Sequence, residues 1–278
     1  MYDVLNRIAL DSQLGHAQAD EVDLAHSHLA DTHEPDLSIG DRNYPSYLWL
    51  ATLHQANRNY LIRCSAAAFA QARGMLKGEG DDSQIVTRKP HHRQLQEIKR
   101  SGLLPSITVR LVRVVFKTGE YEVLVTSLLD KHEYQTAEFK SLYALRWSEE
   151  TFDGILKTRL NLENFMGKTA QSVYQDFYAT VYLTGLESIL TAQCDAFLGN
   201  QPTRQPQQVN RAASFHALKD HAIEILYSNE DTDSVIKKLE ELFLTHPTSV
   251  RNNRQVPSKK CSARQWLHYA KRRCQICF

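Results

Sequence analysis

The spacing of apolar positions changes as the chain proceeds, and each change predicts a different kind of element. Up to about residue 65, runs of strand length alternate with helical spacing. YDVLNRIALD (2–11) clusters apolar residues over strand length, and DEVDLAHSHLA (20–30) sets Val22, Leu24, Ala25 and Leu29 at helical intervals. PDLSIGDRNYPSY then reads as a short strand, Leu37 to Gly40, running into a turn at Asp41, Asn43 and Pro45. SYLWLATLHQAN predicts a helix and NYLIRCS a buried strand. Strands alternating with helices predict an α/β sheet.

From 66 to 135 the period becomes two. ITVRLVRVVFKTGEYEVLVTSL (107–128) alternates Val, Leu and Ile with charges on either side of KTGEY, which predicts a long β-hairpin inside a β-rich insertion. Beyond it the pattern is helical over 136–165 and over SVYQDFYATVYLTGLESILTAQCDAFL (172–198). GNQPTRQPQQVNR (199–211) is a polar loop, SFHALKDHAIEILYS and SVIKKLEELFL predict further helices, and the last residues are basic with little apolar content. The chain shows no internal repeat and no long low-complexity linker.

Composition adds bounds. A chain of 278 residues with 42% hydrophobic content can bury a core in one large domain or two. No apolar run approaches the roughly 18 residues of a membrane span, and MYDVLNRIALDSQLGH lacks the basic start and apolar middle of a signal peptide, so the expectation is a cytoplasmic protein with no membrane partner. The five cysteines, Cys64, Cys194, Cys261, Cys274 and Cys277, are odd in number and irregularly spaced, which suits free thiols. A net charge of +1 conceals an asymmetry: residues 1–40 carry eight acids against one base, and residues 251–278 carry eight Lys or Arg and no acid. That tail, with Lys259, Lys260, Arg264, Lys271, Arg272 and Arg273, is expected to seek polyanions. A second basic stretch, TRKPHHRQLQEIKRSG (87–102), reads first as solvated surface.

LYALRWSEETFDGILKTRLNLENF (142–165) concentrates the candidate chemistry. At about 100° per residue, Tyr143, Arg146, Glu150 and Lys157 share an arc of roughly 60°, opposite Leu145, Phe152, Ile155, Leu156 and Leu160. The plain reading is a solvated face with an i,i+4 pair between Arg146 and Glu150. Against it stands the spacing Y-x2-R-x3-E-x6-K, which ordinary residue frequencies produce in a chain this long about once or twice in a thousand.

That spacing resembles the signature of DDE transposases of bacterial insertion sequences, in their insertion-sequence-4-like group. LSIGDRNYPSYLWLATLHQANRNYLIRC resembles the second-aspartate region of that family, G-D-R-G-[YF] followed by a helix and a buried strand; YEVLVTSLLD, LRWSEETFDGILKTRLNLENFMG and QDFYATVYLTGLESIL resemble its hairpin, catalytic helix and following helix. The resemblance spans most of residues 2–200. It implies an α/β, ribonuclease H-like fold: a first part of the core at 1–65, the β-rich insertion at 66–135, the catalytic and following helices at 136–200, and a helical region with the basic tail at 201–278. It implies DNA strand cleavage and transfer at transposon ends, with Mg2+ or Mn2+ held by clustered carboxylates, and DNA and a second copy of the chain as partners. Asp41 and Glu150 are then catalytic metal ligands, Arg146 and Lys157 phosphate clamps, and Tyr143 a hydroxyl donor to a phosphate or a platform for a displaced base.

Two positions depart from the family's pattern. Asn43 stands where glycine is usual, and asparagine tolerates left-handed backbone angles. The family's first catalytic aspartate lies on a strand upstream of the segment that YDVLNRIALDSQ resembles. Asp3 and Asp11 are poor substitutes, because the stretch from Asp11 to Asp41 is too short for the two strands and helix the fold places between those carboxylates. The resemblance therefore implies an N-terminally incomplete fold with one ligand missing, and leaves open a non-catalytic DNA-binding or inhibitory module. Lesser readings are a zinc site at CQIC (274–277) with Cys261 and His268, ligands at His91 and His92, and Trp147 as a packing rather than a base-stacking aromatic.

Overall fold

A computed structural model describes residues 1–15, 19–115, 119–160, 162, 165, 167, 169–227 and 232–250. In chain order the elements are β1 (Tyr2–Asp3), β2 (Ile8–Ala9), α1 (Glu21–Ser27), β3 (Leu37–Gly40), α2 (Tyr47–Gln55), β4 (Asn59–Arg63), α3 (Ala70–Met75), β5 (Ser83–Arg88), α4 (Leu95–Arg100), β6 (Ile107–Val115) and β7 (Tyr121–Thr126). After them come α5 (Phe139–Ala144), α6 (Trp147–Gly154), a π-helical turn (Ile155–Arg159), α7 (Ala170–Gly199), β8 (Gln207–Gln208), α8 (Arg211–Tyr227), α9 (Thr232–Thr245) and β9 (Thr248–Ser249). They form two compact units: Met1 with Gln13–Glu150, and Tyr2–Ser12 with the chain from Thr151 onward.

The first unit is built on a mixed five-stranded sheet in the order β3-β4-β7-β6-β5. β3 and β4 are parallel, joined by the α2 crossover, and every other pairing is antiparallel. The strands of the β-rich stretch, β5 to β7, thus extend the same sheet that β3 and β4 begin, with Leu61 to Arg63 of β4 opposite Thr126 to Leu124 of β7. Ser46 caps α2 by accepting a hydrogen bond from the Trp49 amide at 3.2 Å. Asn57, at φ 53°, closes the helix in the left-handed conformation that asparagine tolerates.

Both faces of the sheet are covered. On one, Tyr60, Ile62, Val109, Leu111, Val123 and Val125 pack with Leu50 and Leu53 of α2 and Met75 of α3. On the other, Leu61, Val112, Val114 and Leu124 pack with Leu128 and with Phe139 and Tyr143 of α5. The alternation in β6 and β7 suggests a hairpin wet on one side, yet both sides are dry: Arg110, on the polar beat of β6, is 0% exposed.

Helices build most of the second unit. Cys194 and Leu198 of α7 meet Ala217 and Leu218 of α8 and Val235, Leu239 and Phe243 of α9. Within it, Arg211 joins Glu187 and Asp195, and Ser214 donates its hydroxyl to Glu187. The strand expected over 2–11 is instead a small β1–β2 hairpin. The Asp3 carboxylate accepts from the Leu5 and Asn6 amides, and Arg7 has a φ of 59°, so a turn interrupts the run.

The largest correction concerns 136–165, expected as one helix. A 3₁₀ turn (Thr136–Glu138) leads into α5, and the chain then tightens at Leu145 and Arg146. Here the Leu145, Arg146, Ser148 and Glu149 amides bond carbonyls three residues back. At the π-helical turn it widens, Leu160 bonding Ile155 five back. Each change of pitch rotates the residues beyond it, so the 60° arc of a regular helix is not kept. Among the described residues, no helix is long and apolar enough to cross a membrane. Cys64 and Cys194 are free and buried.

Candidate active site

Asp41 stands immediately after the last residue of β3, at the strand's C-terminal end, as the sequence implies. Its Oδ1 accepts the Asn43 amide at 2.7 Å, and that side-chain turn shapes the loop. Asn43 is not left-handed, so the tolerance invoked for it is not used. Gly40 has a different duty: a Cβ there would come within 3.2 Å of Ile62 Cγ1 and 3.4 Å of Tyr44 Cβ, closer than the parallel β3–β4 pair comfortably allows. Further along the loop, the Arg88 Nη1 of β5 donates to the Pro45 carbonyl at 2.9 Å while its guanidinium sits 4.3 Å over the Phe69 ring. Arg88, counted in the basic surface stretch, is thus a brace for the Asp41 loop; Lys89, His91, His92, Arg93, Lys99 and Arg100 of that stretch are exposed.

Acidic neighbours surround the loop. The Tyr44 hydroxyl donates to Glu21 Oε1 at 2.7 Å. Burial, then that hydrogen bond, then the negative charges of Glu21, Asp41 and Glu149 hold the phenol well above its ordinary pKa. Tyr44 therefore lies within electrostatic reach of both the Asp41 loop and the first turn of α6. Neither Glu21 nor Glu149 stands out in the sequence, since each is one acid among several on a helix.

Arg146 and Glu150 are brought together. Arg146 Nη1 donates to Glu150 Oε1 at 2.7 Å; the arginine side chain is 12% exposed and the glutamate 45%. Burial works most strongly against the guanidinium's charge, but the hydrogen bond and charge of Glu150 together with the Tyr143 phenol outweigh it, and the arginine is held more firmly protonated than usual. Tyr143 is a correction. It is 4% exposed, and its ring packs with Leu61, Val114, Leu124 and Phe139, so it offers no platform for a base. Burial pushes its hydroxyl up to about 12. Trp147 is corrected in the other direction: it is 57% exposed, and its ring lies 4.9 Å from the Arg146 guanidinium carbon. Lys157, in the second unit, has its Nζ 3.5 Å from Asp153 Oδ2, an exposed i,i+4 pair.

Among the described residues, no group of three His, Cys, Asp or Glu gathers as a metal cage. His91 and His92 stack on one another, ring centroids 4.1 Å apart. Lys259, Lys260, Arg264, Lys271, Arg272 and Arg273, and the Cys261, His268, Cys274 and Cys277 of the zinc reading, lie outside the described residues.

An acidic group at the open end of a parallel β-α-β unit and an arginine-braced glutamate on a helical turn are groups that a phosphoryl-transfer domain employs, oxygens for hard cations and a guanidinium for phosphate. Residues 1–183 match the family model of the transposase DDE domain, and the chain belongs to that family. No curated protein matches the chain. The mixed α/β sheet is consistent with a ribonuclease H-like DDE domain; membership makes the protein a transposase, implies DNA as its partner, and points to a nuclease or transferase activity of a kind that normally uses a divalent metal.

Proposed function

We propose that this chain is an insertion-sequence-4-like transposase that cleaves and joins DNA at the ends of its element, with Asp41 and Glu150 as two of its catalytic carboxylates. The observation that carries the reading is the pairing of Arg146 with Glu150 in a Y-x2-R-x3-E-x6-K frame, in the same unit as an aspartate at the end of β3. In this reading Arg146 and Lys157 take phosphate oxygens beside the scissile bond, and Tyr143 supports Arg146 from the core. Mg2+ or Mn2+ is the metal, supplying activation of the nucleophile and stabilisation of the leaving oxygen. Carboxylate oxygens suit such hard cations, but the described residues present no three-ligand cage, and the part of Asp41 and Glu150 is to bind and orient. Asp3, held in a hairpin turn, does not supply the family's first aspartate. The basic tail adds affinity for DNA, two copies of the chain handle two element ends together, and the protein works in the cytoplasm.

A second reading, a module that binds transposon ends without cutting them, draws on the same pair: a carboxylate engaged by arginine is partly neutralised and less available to a cation. The purified chain, its Glu150→Ala variant and a duplex bearing the element's end decide between them. Cleavage dependent on Mg2+ or Mn2+ that vanishes in Glu150→Ala, with binding retained, supports the transposase; cleavage that survives the substitution overturns the assignment of Glu150. Tight binding by both proteins without cleavage supports the module.

A further inference from the structure

Among the described residues, three buried polar atoms of the first unit lack a hydrogen bond of good geometry: Glu122 Oε2, the Tyr143 hydroxyl and Arg146 Nε. Such atoms are rare in native proteins and each asks for a reason. These belong together. Glu122 and Leu124 lie on one face of β7, since side chains two apart in a strand point the same way, and Glu122 is the register partner of Val114. Leu124 and Val114 belong to the same packed cluster as Tyr143. Arg63, two residues beyond Leu61 on the same face of β4, reaches Glu122 Oε1 with its Nη2 at 2.6 Å. The Arg146 guanidinium carbon lies 5.8 Å from the Tyr143 ring centre. Both Arg63 and Arg146 act electrostatically on Glu122. One half of the carboxylate is thus bonded to Arg63, and the other belongs to a side chain within electrostatic reach of both Arg146 and Tyr143, which also interact with each other.

We propose that Glu122, fixed by Arg63, is a positioning residue whose free oxygen anchors Arg146 from behind, with Tyr143 completing the set. A carboxylate oxygen carries two acceptor sites, enough for one Nε–H and one phenolic O–H, directly or through one water. The Tyr143 oxygen is itself an acceptor, so Arg146, Tyr143 and Glu122 can also satisfy one another in a chain.

Anchoring at Nε sets how the rest of the arginine's fork is used. The Nε–H shares one edge of the guanidinium plane with one Nη2–H, while Nη1 lies across from it, so a guanidinium held at Nε keeps Nη1 and the outer Nη2–H free to face outward. Arg146 now spends Nη1 on Glu150. If Glu150 turns to another ligand, an unanchored arginine would follow it or swing away, whereas an arginine tied to β7 stays and presents Nη to a phosphate. This rests on the assignment of Arg146 to phosphate in the proposed function; the anchor itself does not.

The test separates the two. In protein carrying 15N-arginine, the Nε–H of Arg146, assigned by its loss in Arg146→Lys, is expected to exchange slowly with water in the parent and in Glu122→Gln, which keeps an acceptor. In Glu122→Leu it is expected to exchange faster by about tenfold or more, because a buried hydrogen bond or its bridging water is lost. Equal exchange in parent and Glu122→Leu, with both folded by circular dichroism, overturns the anchor. If Glu122→Leu does not fold, Tyr143→Phe and Arg63→Gln are measured instead; one donor or one brace fewer is expected to change the same resonance, and no change overturns the proposal. Affinity for a mixed-sequence duplex then tests the use of the fork: Glu122→Leu and Arg146→Ala are each expected to weaken binding about tenfold, and the double variant no more than either alone. Additive losses with altered exchange leave the anchor in place and overturn its use in holding Arg146 for phosphate; no loss of affinity in Arg146→Ala overturns the phosphate role of Arg146, and unaltered exchange overturns the anchor.

Discussion

Replacing Arg110 by methionine should unfold the first unit at a markedly lower temperature. Arg110 lies at 0% exposure in β6, and its guanidinium makes four hydrogen bonds: Nε to Ser83 Oγ at 2.8 Å, Nη1 to the carbonyls of Asp130 at 3.2 Å and Tyr134 at 2.7 Å, and Nη2 to Thr136 Oγ1 at 3.1 Å. It also packs 5.1 Å from the Phe139 ring centre. No carboxylate is among these four acceptors; the cation is satisfied by Ser83 of β5 and by the loop that leads into α5. Methionine relieves the cost of burying a charge and fills similar space, and the two hydroxyls can turn to other partners. The two carbonyls cannot, and each left without a donor costs about 1–3 kcal/mol. The net is a loss of about 3 kcal/mol, or about 10 °C in melting temperature for a unit of this size. Arg110→Lys should fare no better, because it keeps the buried charge with fewer and less well-placed donors. Chemical denaturation gives the free energy, and hydrogen exchange gives the location: amides from Asp130 to Glu138 should lose protection first. A methionine variant within about 1 kcal/mol of the parent would refute the reasoning, since it would mean the loop holds itself against the sheet without the arginine.

Other perturbations test other parts of the molecule. Glu187→Leu, at a carboxylate 1% exposed and bound to Arg211 and Ser214, should destabilise the second unit by about 1–3 kcal/mol, since Arg211 loses one of its two carboxylates and keeps Asp195, as thermal denaturation would show. Burial holds the Cys64 thiol up at about 12, so at pH 8 about one molecule in ten thousand carries the thiolate; peptide-resolved alkylation should find it inert in the folded protein and reactive in denaturant. The unfolded thiol ionises above its ordinary 9.0 while the folded one stays protonated, so this group's contribution makes stability fall as pH rises from 9.0 towards about 12, and Cys64→Ala should flatten that part of the profile. Neutralising the eight Lys and Arg of residues 251–278 should weaken DNA binding and reduce the slope of log affinity against log salt by about 0.9 for each phosphate no longer neutralised; an unchanged slope would remove the tail from the DNA interface.

Elements whose side-chain period matches a local backbone rule were legible in the chain alone. LSIG as a strand ending just before Asp41, SYLWLATLHQAN as a helix, the β6–β7 hairpin and the long α7 all follow from spacing and turn residues within a dozen positions. The frame of Tyr143, Arg146, Glu150 and Lys157 was legible in the same way, because it is a matter of intervals. Three things were settled by contacts between segments far apart in sequence. The break at Leu145 and Arg146 lets Tyr143 sink among Leu61, Val114 and Leu124 while Trp147 turns to solvent, and a helical wheel has no term for a neighbouring sheet. The helices α2 and α3 on one side and α5 on the other cover both faces of the hairpin, so Arg110 and Glu122, on the polar beat of an alternation, become interior groups that must find partners. The Asp41 loop is braced by Arg88, a residue that reads as surface charge until β5 is seen beside it. Backbone preference is a property of neighbours in the chain and is written there; which polar side chains lose their water is decided by which elements close over them, and that information exists only once the sheet has assembled.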